Sequence, residues 1–286
     1  MNQLACNFYE QLETEVLEGQ TELDSAHYAC LKHYYSKWLK HPELRPFYSY
    51  NWMRRTGPMQ RLILSLPRRG TPWRILDAGC GVGTESIFWS TLRTDLEVVG
   101  VDVAPDRLKT ARARHRRYQQ RLGQTLNIRF VEANIFKMLE AETFDLVWTM
   151  EAISHVDPAE DFMRQVFENF DPHGYLVISD SHILNPAMAW RIYRMRRQGV
   201  AEHAQKTLAS GEVIAYAQER LFSVSQLARI LKQIGFRSVE SQLSIFMPPV
   251  AFYGHISNVC RPLDHLLNKL PGIRHLGGIY TVTATK

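Results

Sequence analysis

From about Trp73 onward, short apolar, β-branched runs alternate with longer stretches in which apolar residues recur every three or four positions. The short runs are RILDAG (74–79), EVVGVDV (97–103), IRFVEAN (128–134), FDLVWTM (144–150) and GYLVISD (174–180). Near-continuous apolar runs belong to strands covered on both faces, and their alternation with helical patterns predicts an α/β fold with a mostly parallel sheet. Helices are predicted to begin near Thr84, Pro105, Ile135 and Pro158, the two prolines standing where a helix opens. After Asp180 the rhythm breaks. A polar and aromatic segment, 181–221, precedes SVSQLARILKQIGF, a helix with Ser223 as N-cap and Gly235 as its stop. RSVESQLSIF and IYTVTATK read as closing strands, separated by a Pro- and Gly-containing excursion. The predicted organisation is an N-terminal helical cap, 1–70, and a core, 71–286, with cap insertions at 181–221 and 247–277. Late insertions fall at the edge where open α/β sheets bind ligands.

With 45% hydrophobic residues in 286, the chain can bury a real core. The first residues carry acids where a signal or transit peptide needs bases, and no apolar run is long enough to span a bilayer, so a cytoplasmic protein is expected. Four scattered cysteines form no Cys-x-x-Cys pair, which predicts reduced thiols and no zinc site. The formal charge of +5 is local: between Asp106 and Arg121 seven cations face one acid, leaving the rest of the chain near neutral. That pattern reads first as the solvated face of one surface helix, and second as a surface for an anionic partner.

The stretch RILDAGCGVGT leads a strand into Gly79, Gly81 and Gly83, with Asp77 before them and Thr84 where a dinucleotide fingerprint would have its third glycine. Asp102 follows the second strand and Asn134 the third. Together these motifs resemble the class I S-adenosylmethionine-dependent methyltransferases, over about residues 73–180 plus the last helix and strands. The resemblance implies a Rossmann-like, seven-stranded sheet with helices on both faces. It also implies S-adenosylmethionine as cofactor: the glycines pass under its methionine and ribose, Asp77 lies near its ammonium, Asp102 grips both ribose hydroxyls, Asn134 meets the adenine amino group, and Ile135 and Met150 complete the site. A nicotinamide oxidoreductase on the same topology is the first rival, opposed by the glycine spacing and the lack of a Tyr-x-x-x-Lys pair. The second is a nucleoside-binding protein without turnover.

After the fourth strand, TMEAISHVDP lacks both the Asn/Asp-Pro-Pro-aromatic tetrad and the nucleophilic cysteine of nucleobase methyltransferases, which argues against a nucleic-acid substrate. Glu151 and His155 stand four apart and share a face if the segment is helical. Their spacing is similar to that of sterol, tocopherol and other isoprenoid C-methyltransferases, so both are candidate catalytic residues. A neutral imidazole suits an oxygen or nitrogen acceptor, and a carboxylate suits a developing carbocation. Tyr50, Trp52, His182 and Arg194 are candidate substrate-binding residues: two aromatics before the core, a second base at a strand end, and a cation on a lid helix. The expected reaction is methyl transfer to a small lipophilic metabolite (isoprenoid, polyketide or other secondary metabolite). The alternative is C-methylation of a prenyl diphosphate held by arginines, the one case in which Mg2+ would enter; no metal ligands are otherwise assigned. The expected partner is the small-molecule substrate, without nucleic acid or membrane span, and a homodimer is allowed.

Overall fold

The computed structural model describes residues 3–18, 23–208, 211–252, 256–270 and 272–286. Parts of all three predicted cap segments fall on the remaining positions and lie outside the described residues. The chain divides into two compact units, 1–133 and 134–286.

In the first unit, four helices precede the first strand: α1 (Gln3–Glu18), α2 (Ser25–Tyr34), α3 (Ser36–Lys40) and α4 (Arg45–Ser65). Asp24 caps α2 by accepting the His27 amide at 2.9 Å. On α1, Ala5, Phe8, Leu12 and Val16 share one helical face and are buried. Phe8 anchors an aromatic layer with Tyr9, Trp52, Phe88 and Tyr118, whose neighbouring ring centroids lie 4.9 to 5.8 Å apart. Such pairs add about 0.5–1.5 kcal/mol each beyond the burial of their area. Three strands, β1 (Trp73–Ala78), β2 (Leu96–Asp102) and β3 (Ile128–Glu132), then pair in parallel with β2 in the middle. The crossovers are α5 (Thr84–Leu92) and α6 (Pro105–Leu122). Ile75, Leu76, Val98 and Val99 are fully buried, as a strand covered on both faces requires.

The basic helix α6 corrects the simple reading of a solvated face. Arg114 is fully buried, and Arg112 donates to the Phe130 carbonyl at 2.8 Å.

In the second unit, β4 (Leu146–Met150) and β5 (Tyr175–Ser181) are parallel, β9 (Ile279–Thr285) returns antiparallel to β5, and β8 (Ser238–Ser244) pairs antiparallel with β9. The helices α7 (Ile135–Ala141), α8 (Ala159–Asn169) and α10 (Val224–Ile234) stand where the periodicity predicts them. Pro158 is the residue before α8 rather than its first. Ser223 Oγ accepts the Gln226 amide at 3.2 Å, and α10 stops at Gly235 with φ +126°. With the order β3-β2-β1 in one unit and β4-β5-β9-β8 in the other, the chain supplies the seven strands of the expected mostly parallel, Rossmann-like sheet.

Two elements exceed the sequence reading. Segment 181–221 holds α9 (Pro186–Arg197) and then a hairpin of β6 (His203–Thr207) and β7 (Val213–Ala217). The β6 sequence HAQKT is largely exposed, so no buried face marks it as a strand. Segment 247–277 holds α11 (Ser257–Leu267), formed despite Pro262 in its interior, where proline removes a helix hydrogen bond. Among the described residues no helix is long and apolar enough to cross a membrane.

Candidate functional site

Beyond β1 the chain turns through Gly79, Gly81 and Gly83 at φ +81°, +55° and +75°. An L side chain is strained in that region, which accounts for glycine at each position. The turn is braced from the end of β2: the Gly79 and Cys80 amides donate to the Val101 carbonyl at 2.8 and 2.9 Å, and the Gly81 amide donates to Asp102 Oδ2 at 2.9 Å. Asp102 Oδ1 accepts the Ala104 amide at 2.8 Å, so this carboxylate already organises two backbone segments. Part of what excludes side chains here is the protein itself. A Cβ on Gly83 would lie 2.7 Å from Phe130 Cζ and 2.9 Å from Ala111 Cβ, and one on Gly81 would lie 2.8 Å from the Tyr34 hydroxyl. Tyr34 ends α2, and its neighbour Tyr35 shares a 2.6 Å hydrogen bond with Thr84 at the head of α5.

Asp77, the last acid of β1, is buried and accepts the Ser86 hydroxyl at 2.5 Å. Burial first, and then the nearby Glu85 carboxylate, pushes its pKa up to about 8. Two acids in a desolvated place favour a cation beside them. Trp52 is buried in the aromatic layer and donates its indole N–H to Glu85 at 2.8 Å, and Tyr50 is buried on the same helix. Their sequence reading as substrate-lining residues is therefore replaced by packing for Tyr50 and by the orientation of Glu85 for Trp52. The tyrosines at the loop are Tyr34 and Tyr35.

In the second unit, Asn134 caps α7: Oδ1 accepts the Phe136 amide at 3.1 Å and Nδ2 donates to Glu212 at 3.3 Å. Its carbonyl oxygen, expected to face adenine, is already engaged by the cap. Glu212, in the turn of the hairpin, also takes Lys137 Nζ at 2.7 Å, and that hydrogen bond holds its carboxyl below the usual range. Ile135 opens α7 and Met150 ends β4, both half-buried.

The segment after β4 is not an α-helix. Glu151 is exposed with φ +51°, its amide donating to the Ser179 carbonyl at 2.9 Å, and Ile153–His155 forms a single 3-10 turn. Glu151 and His155 therefore do not share the helical face that their spacing allowed. Instead His155 is held by the hairpin: Nδ1 lies 3.1 Å from the Ala217 carbonyl and 2.9 Å from the Tyr216 hydroxyl, and the two rings stack at 5.1 Å with 4° between planes. In the tautomer in which Nδ1–H donates to that carbonyl, Nε2 keeps its lone pair. Asp157 pairs with His203 at 2.8 Å, Arg220 pairs with Glu160 at 2.6 Å, and Asp180 Oδ2 accepts the Ser154 amide at 3.2 Å, so the turn is tied on several sides. Sequence reasoning missed Tyr216, Asp180 and Glu212. Asp180 ends the run GYLVISD and could have been found by its place at a strand end; the hairpin residues carried no periodic signal.

His182 is not a second base. It is fully buried, Nδ1–H donates to the Gly277 carbonyl at 3.2 Å, and Nε2 accepts the Val224 amide at 3.2 Å. Both nitrogens are used, and burial pushes its pKa below the ordinary imidazole value. Replacing His182 by Ala is expected to cost about 2–5 kcal/mol in urea unfolding, from two orphaned backbone groups and a cavity, while kcat at a permissive temperature stays within about threefold. Arg194 is exposed on α9, whereas its neighbours serve the fold: Arg191 pairs with Glu219 at 2.8 Å, and Arg196 donates to the Val200, Ala201 and Gln218 carbonyls at 3.0 to 3.2 Å. Among the described residues no group of three or more His, Cys, Asp or Glu could hold a metal ion.

A mostly parallel seven-stranded sheet, a glycine turn after β1 and carboxylates at the ends of β1 and β2 define a class I S-adenosylmethionine-dependent methyltransferase. The chain belongs to the methyltransferase-domain family, whose model matches residues 72–233. It is 36% identical over 109 residues to the erythromycin 3''-O-methyltransferase of Saccharopolyspora erythraea, covering 37% of this chain and 34% of that protein. It is 26% identical over 249 residues to the mitochondrial ubiquinone biosynthesis O-methyltransferase of Homo sapiens, covering 84% of this chain and 63% of that one. The chain thus spans about a third to just under two thirds of the length of these curated relatives. Its fold is similar to the crystal structure of a SAM-dependent methyltransferase from Archaeoglobus fulgidus, with TM-score 0.52 at 18% identity, covering 87% of this chain and 99% of that one. The family assignment sets aside the nicotinamide reading.

Proposed function

We propose that this protein transfers the methyl group of S-adenosylmethionine to a hydroxyl of a small lipophilic molecule, with His155 as the base. The observation that carries the reading is the 3.1 Å contact of His155 Nδ1 with the Ala217 carbonyl: in the tautomer that donates Nδ1–H to it, Nε2 is the proton acceptor. An oxygen acceptor is also favoured by two relatives whose names are O-methyltransferases.

The residues of the first unit fit the cofactor. Asp77, buried and short of a cation, suits its ammonium; Asp102 suits the ribose hydroxyls; the glycine turn lets backbone approach it closely. The cofactor supplies a methyl already activated on a sulfonium. In the second unit, His155 Nε2 would take the proton of the acceptor hydroxyl. Tyr216 stacks on the imidazole and keeps it in plane, and Glu151, exposed beside the turn, orients the acceptor. Prenyl diphosphate methylation with Mg2+ has less support, because two of the four arginines of α9, Arg191 and Arg196, are engaged by Glu219 and by the Val200, Ala201 and Gln218 carbonyls.

Transfer of labelled methyl to a panel of hydroxylated lipophilic acceptors, erythromycin- and ubiquinone-like compounds among them, tests the reading. His155→Ala is expected to lower kcat about 10²–10⁴-fold with the Kd for S-adenosylhomocysteine unchanged. Binding without turnover on any acceptor would favour a nucleoside-binding protein, and full turnover in His155→Ala would remove the base.

A further inference from the structure

One buried ion pair belongs neither to the acceptor side nor to the residues assigned to the cofactor. Glu15 of α1 and Arg114 of α6 are both fully buried. Arg114 donates from Nε and Nη2 to the two Glu15 oxygens at 2.9 and 2.8 Å, a bidentate pair. Its remaining arm, Nη1, reaches the glycine turn, donating to the Val82 carbonyl at 2.7 Å and to Thr84 Oγ1 at 2.8 Å. Thr84 in turn shares its hydroxyl with Tyr35, just after α2, while Arg117 approaches Glu15 at 3.4 Å.

A guanidinium has five N–H groups in a rigid plane. With two held by Glu15, the direction of Nη1 is set by α1, and with it the Val82 peptide and the first residue of α5. Between Gly81 and Gly83 the backbone has few intrinsic preferences, so an external anchor decides its conformation. From these contacts we infer that Glu15 and Arg114 are a positioning pair for the glycine turn, through which the N-terminal helix α1 makes the cofactor site competent. This rests on the reading above that the turn binds S-adenosylmethionine.

A buried ion pair replaced by apolar residues of similar size often leaves stability unchanged or raised, whereas removing one partner strands a charge. That separates positioning from folding. The double variant Glu15→Leu/Arg114→Met is expected to lose less stability than either single variant, since the pair itself strands no charge, and to bind S-adenosylhomocysteine about tenfold or more weakly in calorimetry. At saturating cofactor its kcat should be unchanged. Arg114→Lys, which keeps the charge but lacks the planar fork, should show the same weakened Kd. Hydrogen exchange of the amides from 80 to 86 should be faster in both variants, with or without cofactor. Wild-type affinity and unchanged exchange in the double variant would overturn the inference. A wild-type protein that binds no S-adenosylhomocysteine would overturn the cofactor reading instead, and the exchange rates would still decide whether the pair positions the turn.

Discussion

Asp77→Asn is expected to stabilise the protein increasingly as pH rises from about 4 to 8, and to weaken cofactor binding increasingly over the same range. Burial, and then Glu85, pushes the Asp77 carboxyl up to about 8 in the folded chain, against about 3.9 when unfolded. The folded state therefore holds the proton more tightly than the unfolded state. Stability from this group is complete below about pH 4, falls as pH rises, and has been lost once pH passes about 8. Each unit of difference is worth about 1.4 kcal/mol, so the total approaches about 6 kcal/mol. Asparagine keeps a partner for Ser86 and has no such slope. Thermal midpoints of wild type and variant across pH should diverge up to about 8 and then run parallel; a constant gap would refute the assignment. The proposed ammonium partner reverses the burial effect when bound, because a cation favours the ionised carboxylate. Affinity of the wild type for S-adenosylhomocysteine should rise with pH to about 8 and then level, with proton release below that pH measurable from the buffer dependence of the binding enthalpy. In the Asn variant both trends should vanish.

Gly83→Ala is expected to cost about 2–5 kcal/mol and with it most cofactor affinity. Positive φ at +75° strains any L side chain, by about 1–2 kcal/mol, and the added methyl would meet Phe130 Cζ at 2.7 Å and Ala111 Cβ at 2.9 Å. Overpacking of that kind adds about 1–3 kcal/mol. Gly123 supplies the control: its φ is +62°, yet a Cβ there would meet nothing within 4 Å. Gly123→Ala should therefore show the backbone cost alone. Phe130→Leu should recover part of the loss in the Gly83→Ala background and none in Gly123→Ala. Equal losses at the two glycines, measured by chemical unfolding, would remove the packing argument.

The strand–helix rhythm, the N-cap at Ser223, the stop at Gly235 and the glycine turn with its two acids were legible because each depends on residues within about one element of each other. Apolar periodicity, a capping hydroxyl and a need for positive φ are written locally. The β6–β7 hairpin was not, because β6 is largely exposed and carries no apolar alternation, and α11 was hidden by Pro262.

The chain alone thus determined an α/β methyltransferase core and the position of its glycine turn. Tertiary structure decided which titratable side chain does what. His155 and His182 look alike as strand-end histidines, and only the carbonyl of Ala217 on one and the pairing of both nitrogens on the other tell them apart. Arg114 stands in a run of seven cations and is singled out by Glu15, 99 positions away. Burial and hydrogen-bond partnership set protonation and orientation, and both are conferred by segments that meet only once the chain has folded.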